Sequence, residues 1–292
     1  MKAPAYDLRG KVVLITGGTG GIGSATAHEL LRRGAKVAIA DLDPQTPQIG
    51  AAMSSRSALG VVADVRSRET LDAAVEVVVD RFGRLDVAIA NAGILARTGT
   101  LRTTPVSSVE SLLAVNVTGV VNTIQAAMDQ IIAQRGQLAL ISSVFAFANG
   151  MGTIPYAMTK AAVEQLGRGL RVELANRGVS TLVAYFSMVH TAMITQGVDG
   201  DPLADQLLAT MPQTMLKRIA PETAATAVVD GLARRSPTVF APSRWKPLSA
   251  LRGLVNPVLD SRMSRDLRTQ AALAALDGRP VTPTTAEPKG AR

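Results

Sequence analysis

Short apolar runs alternate with helix-period stretches along most of this chain. Residues 11–16, Lys-Val-Val-Leu-Ile-Thr, are apolar without alternation, the pattern of a strand covered on both faces. Similar runs stand at 36–40, 60–63, 85–90, 138–142, 179–186 and 238–241. Between them, residues 22–33, 70–82, 109–134, 155–176 and 221–235 carry helical periodicity. Gly34, Gly83, Gly136 and Gly178 mark the stops of the first four. Strand–helix alternation with unbroken apolar strands predicts an α/β fold. Right-handed crossovers make it a doubly wound parallel sheet, the Rossmann arrangement.

The periodicity loosens at 188–215, a Met-, Gly- and Pro-containing stretch suited to a lid over a pocket. The expected organisation is one dinucleotide-binding and catalytic domain over 1–243, with the lid at about 188–216. A basic helical appendage follows over 244–277, and a Pro-, Thr- and Gly-rich disordered tail over 278–292. No internal repeat is present.

Composition refines this picture. Apolar residues make up 47% but aromatics only 3%, so Ala, Val, Leu and Ile must build the core. No apolar run approaches the ~18–20 residues of a membrane span, and the first nine residues lack a signal-like apolar stretch, so a cytoplasmic protein is expected. With no Cys and two His, disulfides are excluded and no metal site is expected. The +8 net charge is uneven, with nine Lys/Arg against four acids in 244–292. Leu251, Leu254, Val255, Val258 and Leu259 with flanking Arg describe an amphipathic helix. Peripheral contact with an anionic membrane through 244–277 and a dimer contact both fit it. No nucleic-acid recognition motif accompanies the charge, so no nucleic-acid partner is expected.

Candidate chemistry begins at Thr16-Gly17-Gly18-Thr19-Gly20-Gly21-Ile22-Gly23, between the first strand and the first helix. Glycines there let backbone amides approach a pyrophosphate, and the helix N-terminus adds positive partial charge. Asp41 ends the second strand, where a carboxylate can accept ribose hydroxyls and repel a 2′-phosphate. NAD is therefore expected over NADP. Tyr156 and Lys160 lie four apart on a helix, so the ammonium can sit beside the phenol. A fixed cation lowers a phenol's pKa from about 10 toward neutrality, where it can exchange protons.

Together these pieces resemble the short-chain dehydrogenase/reductase family, in its shorter single-domain branch, over about residues 8–235. The resemblance implies that Gly17, Gly21, Ile22 and Gly23 hold the cofactor. It implies that Asn91-Ala92-Gly93 sits beside the adenosine ribose, and that Asp64 and Val65 meet adenine. Its catalytic set maps onto Asn116, Ser143, Tyr156 and Lys160, with Ser143 preferred to Ser142 because it stands 13 residues before the tyrosine. Tyr156 is implied as general acid/base, Lys160 as its activator and a ribose ligand, Ser143 as donor to the reacting oxygen and Asn116 as a water anchor. Val189 and Thr191 match the positions that meet the nicotinamide carboxamide. The usual Pro-Gly after the sixth strand is Phe186-Ser187 here, which puts apolar surface near the ring. The Asp-Gly-Gly stretch used in tetramer packing is missing, although a homo-oligomer is still expected.

Phe145, Phe147, Met151, Ile154, Met188, Met193 and Ile194 either line an apolar pocket or pack in the core. The first alternative predicts a lipophilic secondary alcohol or ketone as substrate. His190 is expected as a spacer in a turn and His28 as a surface residue. The rival function is a non-catalytic cofactor-sensing or scaffold protein, for which both Tyr156 and Lys160 are unneeded.

Overall fold

The computed structural model describes residues 6–280. The first half alternates as expected: β1 (Val12–Thr16), α1 (Gly21–Arg32), β2 (Lys36–Asp41), α2 (Thr46–Met53), β3 (Ala58–Val62), α3 (Arg68–Phe82) and β4 (Val87–Ala90). Helices α4 (Val106–Leu113) and α5 (Gly119–Ala133) flank one π-helical turn, Ala114–Thr118. Then come β5 (Gln137–Ser143), α6 (Ile154–Glu173) and β6 (Ser180–Phe186). The stretch expected to be a lid folds as three short helices, α7 (Ala192–Gly197), α8 (Pro202–Ala209) and α9 (Gln213–Leu216). The chain continues through α10 (Pro221–Ala233) and β7 (Thr238–Ala241) to α11 (Trp245–Arg265) and α12 (Leu267–Asp277).

All seven strands pair in parallel, in the order β3-β2-β1-β4-β5-β6-β7. The order reverses between β1 and β4, so a crevice opens at the carboxyl ends of those strands. On one face α3, α5 and α6 bury Leu71, Val78, Ile124, Ile131 and Val163 against β1, β4 and β5. On the other, α1 and α10 bury Ala27, Leu30, Val228 and Leu232. Each such Leu, Ile or Val side chain contributes about 1.5–3 kcal/mol relative to exposure.

Helix α2 is absent from the periodicity because only eight residues form it and its closest contact with the sheet is made through a glycine, with Ile49 and Met53 only partly buried beside it. A Cβ on Gly60 would lie 1.9 Å from the Thr46 carbonyl oxygen, and one on Gly50 would lie 2.2 Å from the Gly60 nitrogen. Close helix–strand approach leaves only that short apolar pair there. A second departure concerns Val106–Ala133, which is long and apolar enough to cross a membrane by length and composition. Its Val120, Ile124, Ala127 and Ile131 are spent against the sheet instead.

The appendage is not one free element. Trp245 anchors α11 in an aromatic cluster with Phe147, Tyr185 and Phe240, and Arg252 pairs with buried Glu164 of α6 at 2.7 Å. Leu251, Leu254, Val258 and Leu259 are exposed, whereas Val255 is half-buried. Helix α12 docks on the lid through Ala272 and Leu276. Of the expected disordered tail, Gly278–Pro280 are part of the fold. Arg279 donates to the Thr98 carbonyl oxygen at 2.8 Å and pairs with Asp201. Residues 281–292 lie outside the described residues.

Candidate active site

The glycine loop is shaped by what surrounds it. Gly17 has φ 65°, and a Cβ there would lie 2.7 Å from Ala92 Cα. A Cβ on Gly23 would lie 2.2 Å from the Gly17 carbonyl oxygen, and one on Gly21 would lie 2.9 Å from Thr191 Cγ2. Gly20 meets nothing closer than 3.4 Å, so packing does not demand glycine there. No side chain caps α1, which leaves its first amides, including those of Ile22 and Gly23, for an anion. Glycine is demanded at 17, 21 and 23 by the surrounding protein, and the uncapped amides of α1 suit a dinucleotide pyrophosphate.

Asn91 fixes the loop from below. Its Nδ2 donates to the carbonyl oxygens of Thr16 (3.0 Å) and Gly17 (2.9 Å), while its backbone N–H donates to Thr16 Oγ1 (3.2 Å). Ala92 backs Gly17, and Gly93 lies beside Asn116 and Lys160. Asp41, at the end of β2, accepts from the Thr19 N–H (3.0 Å) and hydroxyl (2.7 Å) through Oδ2, and from the Leu42 N–H (2.8 Å) through Oδ1. Asp41 thus holds the loop, a role the sequence did not suggest. The Asp64 carboxylate is clasped by Arg66 at 2.6 Å, whose hydrogen bonds hold its pKa below the usual range. Val65 packs on Gly119, and its carbonyl oxygen accepts from Asn122 at 2.9 Å. Val189 is buried and bridges to Ile219, and Thr191 starts α7 against Gly21.

Asn116, Ser143, Tyr156 and Lys160 meet at the carboxyl end of β5. Asn116 sits in the π turn, fully buried. Its Oδ1 accepts from the Ile94 N–H (2.8 Å), and its Nδ2 donates to the Ile94 carbonyl oxygen (2.9 Å) and Thr159 Oγ1 (3.2 Å). Thr159 also donates to the Tyr156 carbonyl oxygen at 2.7 Å, so it joins Asn116 to the tyrosine's turn. Its position three residues after Tyr156 was the available signal. The two serines divide their work. Ser142 donates to the Lys160 carbonyl oxygen at 2.9 Å and anchors α6, whereas the Ser143 hydroxyl donates to the Phe186 carbonyl oxygen at 3.3 Å, accepts from the Phe145 N–H at 3.2 Å and acts to lower the pKa of the Tyr156 phenol.

The phenol's acidity departs from expectation. Burial pushes Tyr156 up to about 12, and the Ser143 hydrogen bond offsets this only in part. Burial also pushes Lys160 down to about 8. Its Nζ donates to the Ile141 carbonyl oxygen (3.1 Å) and stands over the Tyr156 ring, 5.5 Å from the centroid. Desolvation of the phenolate therefore outweighs the attraction of an ammonium that faces the ring and a carbonyl oxygen. At pH 7 the amine is still protonated in about nine of ten molecules and the phenol is neutral.

Of the residues expected to line a pocket, Phe145 packs edge-on to Tyr156 (centroids 6.4 Å, 84°). Ile154 and Met193 expose apolar surface. Phe147 belongs instead to the cluster around Trp245. Phe186 is buried in the α1/α10 core and meets the site only through its carbonyl oxygen, which accepts from Ser143 at 3.3 Å. His28 and His190 are exposed, the latter donating its N–H to the Ile219 carbonyl oxygen. Among the described residues no His, Asp and Glu cluster suited to a metal exists.

The family model for short chain dehydrogenase matches residues 11–201. A 2-(R)-hydroxypropyl-CoM dehydrogenase from Xanthobacter autotrophicus is 33% identical over 70% of this chain and 84% of its own length. A cis-2,3-dihydrobiphenyl-2,3-diol dehydrogenase from Paraburkholderia xenovorans is 32% identical over 70% of this chain and 78% of its own length. Among solved structures, a Brucella melitensis 3-ketoacyl-(acyl-carrier-protein) reductase complexed with NADH superposes with a TM-score of 0.69. It covers 80% of this chain and 97% of its own, at 23% identity, a likeness of fold. The chain belongs to the short-chain dehydrogenase family and is a nucleotide-binding oxidoreductase.

Proposed function

We propose that this short-chain dehydrogenase transfers hydride between NAD and an apolar secondary alcohol or ketone, with Tyr156 as general acid/base. The observation that carries the proposal is the meeting of the Tyr156 phenol, the Ser143 hydroxyl and the Lys160 ammonium beside the glycine cradle. NAD, when bound, supplies the hydride acceptor or donor. Ser143 donates a hydrogen bond to the substrate oxygen, and Tyr156 exchanges the proton on that oxygen. A phenol near 12 is in the form that reduction of a ketone needs. Oxidation of an alcohol at neutral pH requires the phenolate instead, about 7 kcal/mol away. Lys160 and the positive charge of oxidised nicotinamide are the sources for that shift.

Asp41 carries no ion pair among the described residues, so a 2′-phosphate beside it would lack a compensating cation. That supports NAD, with Gly17, Gly21, Ile22, Gly23, Asp64, Val65, Asn91, Ala92, Gly93, Val189 and Thr191 completing its site. Phe145, Ile154 and Met193 support an apolar substrate. The relative named as a cis-2,3-dihydrobiphenyl-2,3-diol dehydrogenase is in keeping with a secondary alcohol on an apolar frame. The test follows NADH absorbance over a panel of secondary alcohols and ketones with NAD and NADP. Tyr156→Phe should lose about a thousand-fold in turnover. Unchanged turnover in that variant would remove the mechanism, and absence of any turnover would favour the scaffold alternative.

A second reading concerns α11. Leu251, Leu254 and Val258 are exposed, and Arg262 and Arg265 make no ion pair among the described residues. We propose contact with an anionic membrane, to be checked by vesicle co-sedimentation of the full chain and its Leu254→Asp variant. Equal sedimentation would leave the homo-oligomer contact as the occupant of this face.

A further inference from the structure

The α12 helix lies beyond the family match, which ends at residue 201, yet it touches the lid helix α8, the 149–153 loop that leads to Tyr156 and the 94–104 loop. Resting on the function just proposed, we infer that α12 is a wall of the substrate site. It latches the lid helix α8 to the body and so limits the size of the apolar substrate admitted.

The latch has an apolar and a polar half. Leu276 and Ala272 of α12 are buried with Leu207 of α8, and Leu203, Leu273 and Met151 pack against them. Met151 lies in the loop that leads to Tyr156, so one cluster joins lid, appendage and catalytic helix entry. Gly152 in the same loop has φ 75°, and a Cβ on it would lie 2.4 Å from Leu207 Cδ2. The lid therefore sits directly on that backbone.

The polar half centres on Asp201. Its Oδ1 caps α8 by accepting from the Leu203 N–H at 3.1 Å, and the same carboxylate takes Arg279 and, at 3.3 Å, Arg97. The Arg279 and Asp201 side chains are only 11% and 12% exposed, so this pair is poorly screened by water. Arg279 also donates to the Thr98 carbonyl oxygen, while Asp277 accepts from Thr100 and, through its backbone oxygen, from Arg102. The 94–104 loop is tied in turn to the 149–153 loop by the Gly99 N–H donating to the Gly152 carbonyl oxygen at 2.9 Å. Leu95 meets Gly197 at the end of α7, with a Cβ there only 3.1 Å from Leu95 Cδ2.

A lid held only by its own two ends can swing to admit a long substrate. One held at its middle by a buried leucine and at its N-terminus by a shielded ion pair cannot, unless α12 moves with it. Arg279 is a positioning residue in this scheme and touches no reacting atom.

Hydrogen exchange on the full-length protein without ligands tests the latch directly. Arg279→Ala and Leu276→Ala should each speed exchange at least ten-fold across 94–104, 149–153 and 192–209. Arg279→Lys should recover most of the protection, and Leu267→Ala, altering an exposed side chain of the same helix, should change nothing. Acceleration confined to α12, or none, overturns the latch. Steady-state rates with 2-propanol through 2-decanol at saturating NAD test the wall. In both latch variants the optimum should move to longer alcohols, with KM for 2-octanol changing at least five-fold and KM for NAD within two-fold. An unchanged chain-length profile overturns the wall. If the wild type oxidises none of these alcohols, the proposed substrate class fails, and the exchange experiment still decides the latch.

Discussion

Two charged side chains are buried at opposite ends of the sheet, and they are treated differently. Asp86, just before β4, is fully buried and fully partnered. It accepts from Arg84 at 2.6 and 2.9 Å, from Lys11 at 3.2 Å and from the Val12 N–H at 3.0 Å. Lys160, beside the carboxyl end of β5, is 5% exposed and has only the Ile141 carbonyl oxygen, with no carboxylate in ion-pair range among the described residues. A compensated buried charge ties strands together. An uncompensated one is carried at a cost in stability and answers strongly to whatever binds next to it. The lower end of the sheet is thus built for the fold and the upper end for chemistry.

The largest expected effect comes from removing the upper charge. Lys160→Met should lower kcat about a hundred- to ten-thousand-fold, while raising stability at pH 7 by about 2 kcal/mol because a desolvated ammonium is gone. Urea midpoints and NADH-linked rates on the same preparations check both halves, and a destabilised, active variant would break the contrast.

Asp86→Ala should do the reverse, costing about 3–5 kcal/mol by leaving Arg84, Lys11 and the Val12 N–H without their acceptor. NADH affinity by fluorescence titration should stay within two-fold. A cost below about 1 kcal/mol would mean that the lower network is no better than a surface pair.

A pH series sharpens the comparison. The folded pKa of Lys160, about 8, lies below its ordinary value of 10.5, so the unfolded chain binds the extra proton between them. Stability from this group is therefore depressed below pH 8 and rises as pH climbs toward 10.5. Wild type should gain about 2 kcal/mol between pH 7.5 and 10 relative to Lys160→Met. Tyr156 acts later and oppositely, losing stability as pH rises from 10 toward 12. Parallel curves for the two proteins would show that burial does not tax Lys160.

The smallest effect is expected at Gly20. Its Cβ position is free, so Gly20→Ala should change stability by less than about 0.5 kcal/mol and NADH affinity by less than two-fold. Gly23→Ala, which would press on the Gly17 carbonyl oxygen, should abolish NADH binding. Equal behaviour of the two would place the cradle elsewhere.

Much of the fold was legible because a strand buried on both faces needs an unbroken apolar run, and the seven runs became the seven strands. Helix α2 was hidden because its eight residues meet the sheet through glycine, leaving too short an apolar pattern to read. In the site, the residues sought at Asn116, Ser143, Tyr156 and Lys160 do converge, but the partners of Thr19, Thr159 and Ser142 were not legible. Their partners are 22, 43 and 18 residues away, beyond any local pattern.

The sequence alone determined the sheet, the crevice at its reversal and the order of the chemical groups, since hydrophobic period and glycine spacing act locally along the chain. Only the tertiary structure decided how charged those groups are and what covers them. Desolvation depends on every neighbour at once, so burial raises the pKa of a phenol that local spacing alone would place nearer neutrality. The same long-range packing turned an apparently free basic appendage into the support of the lid.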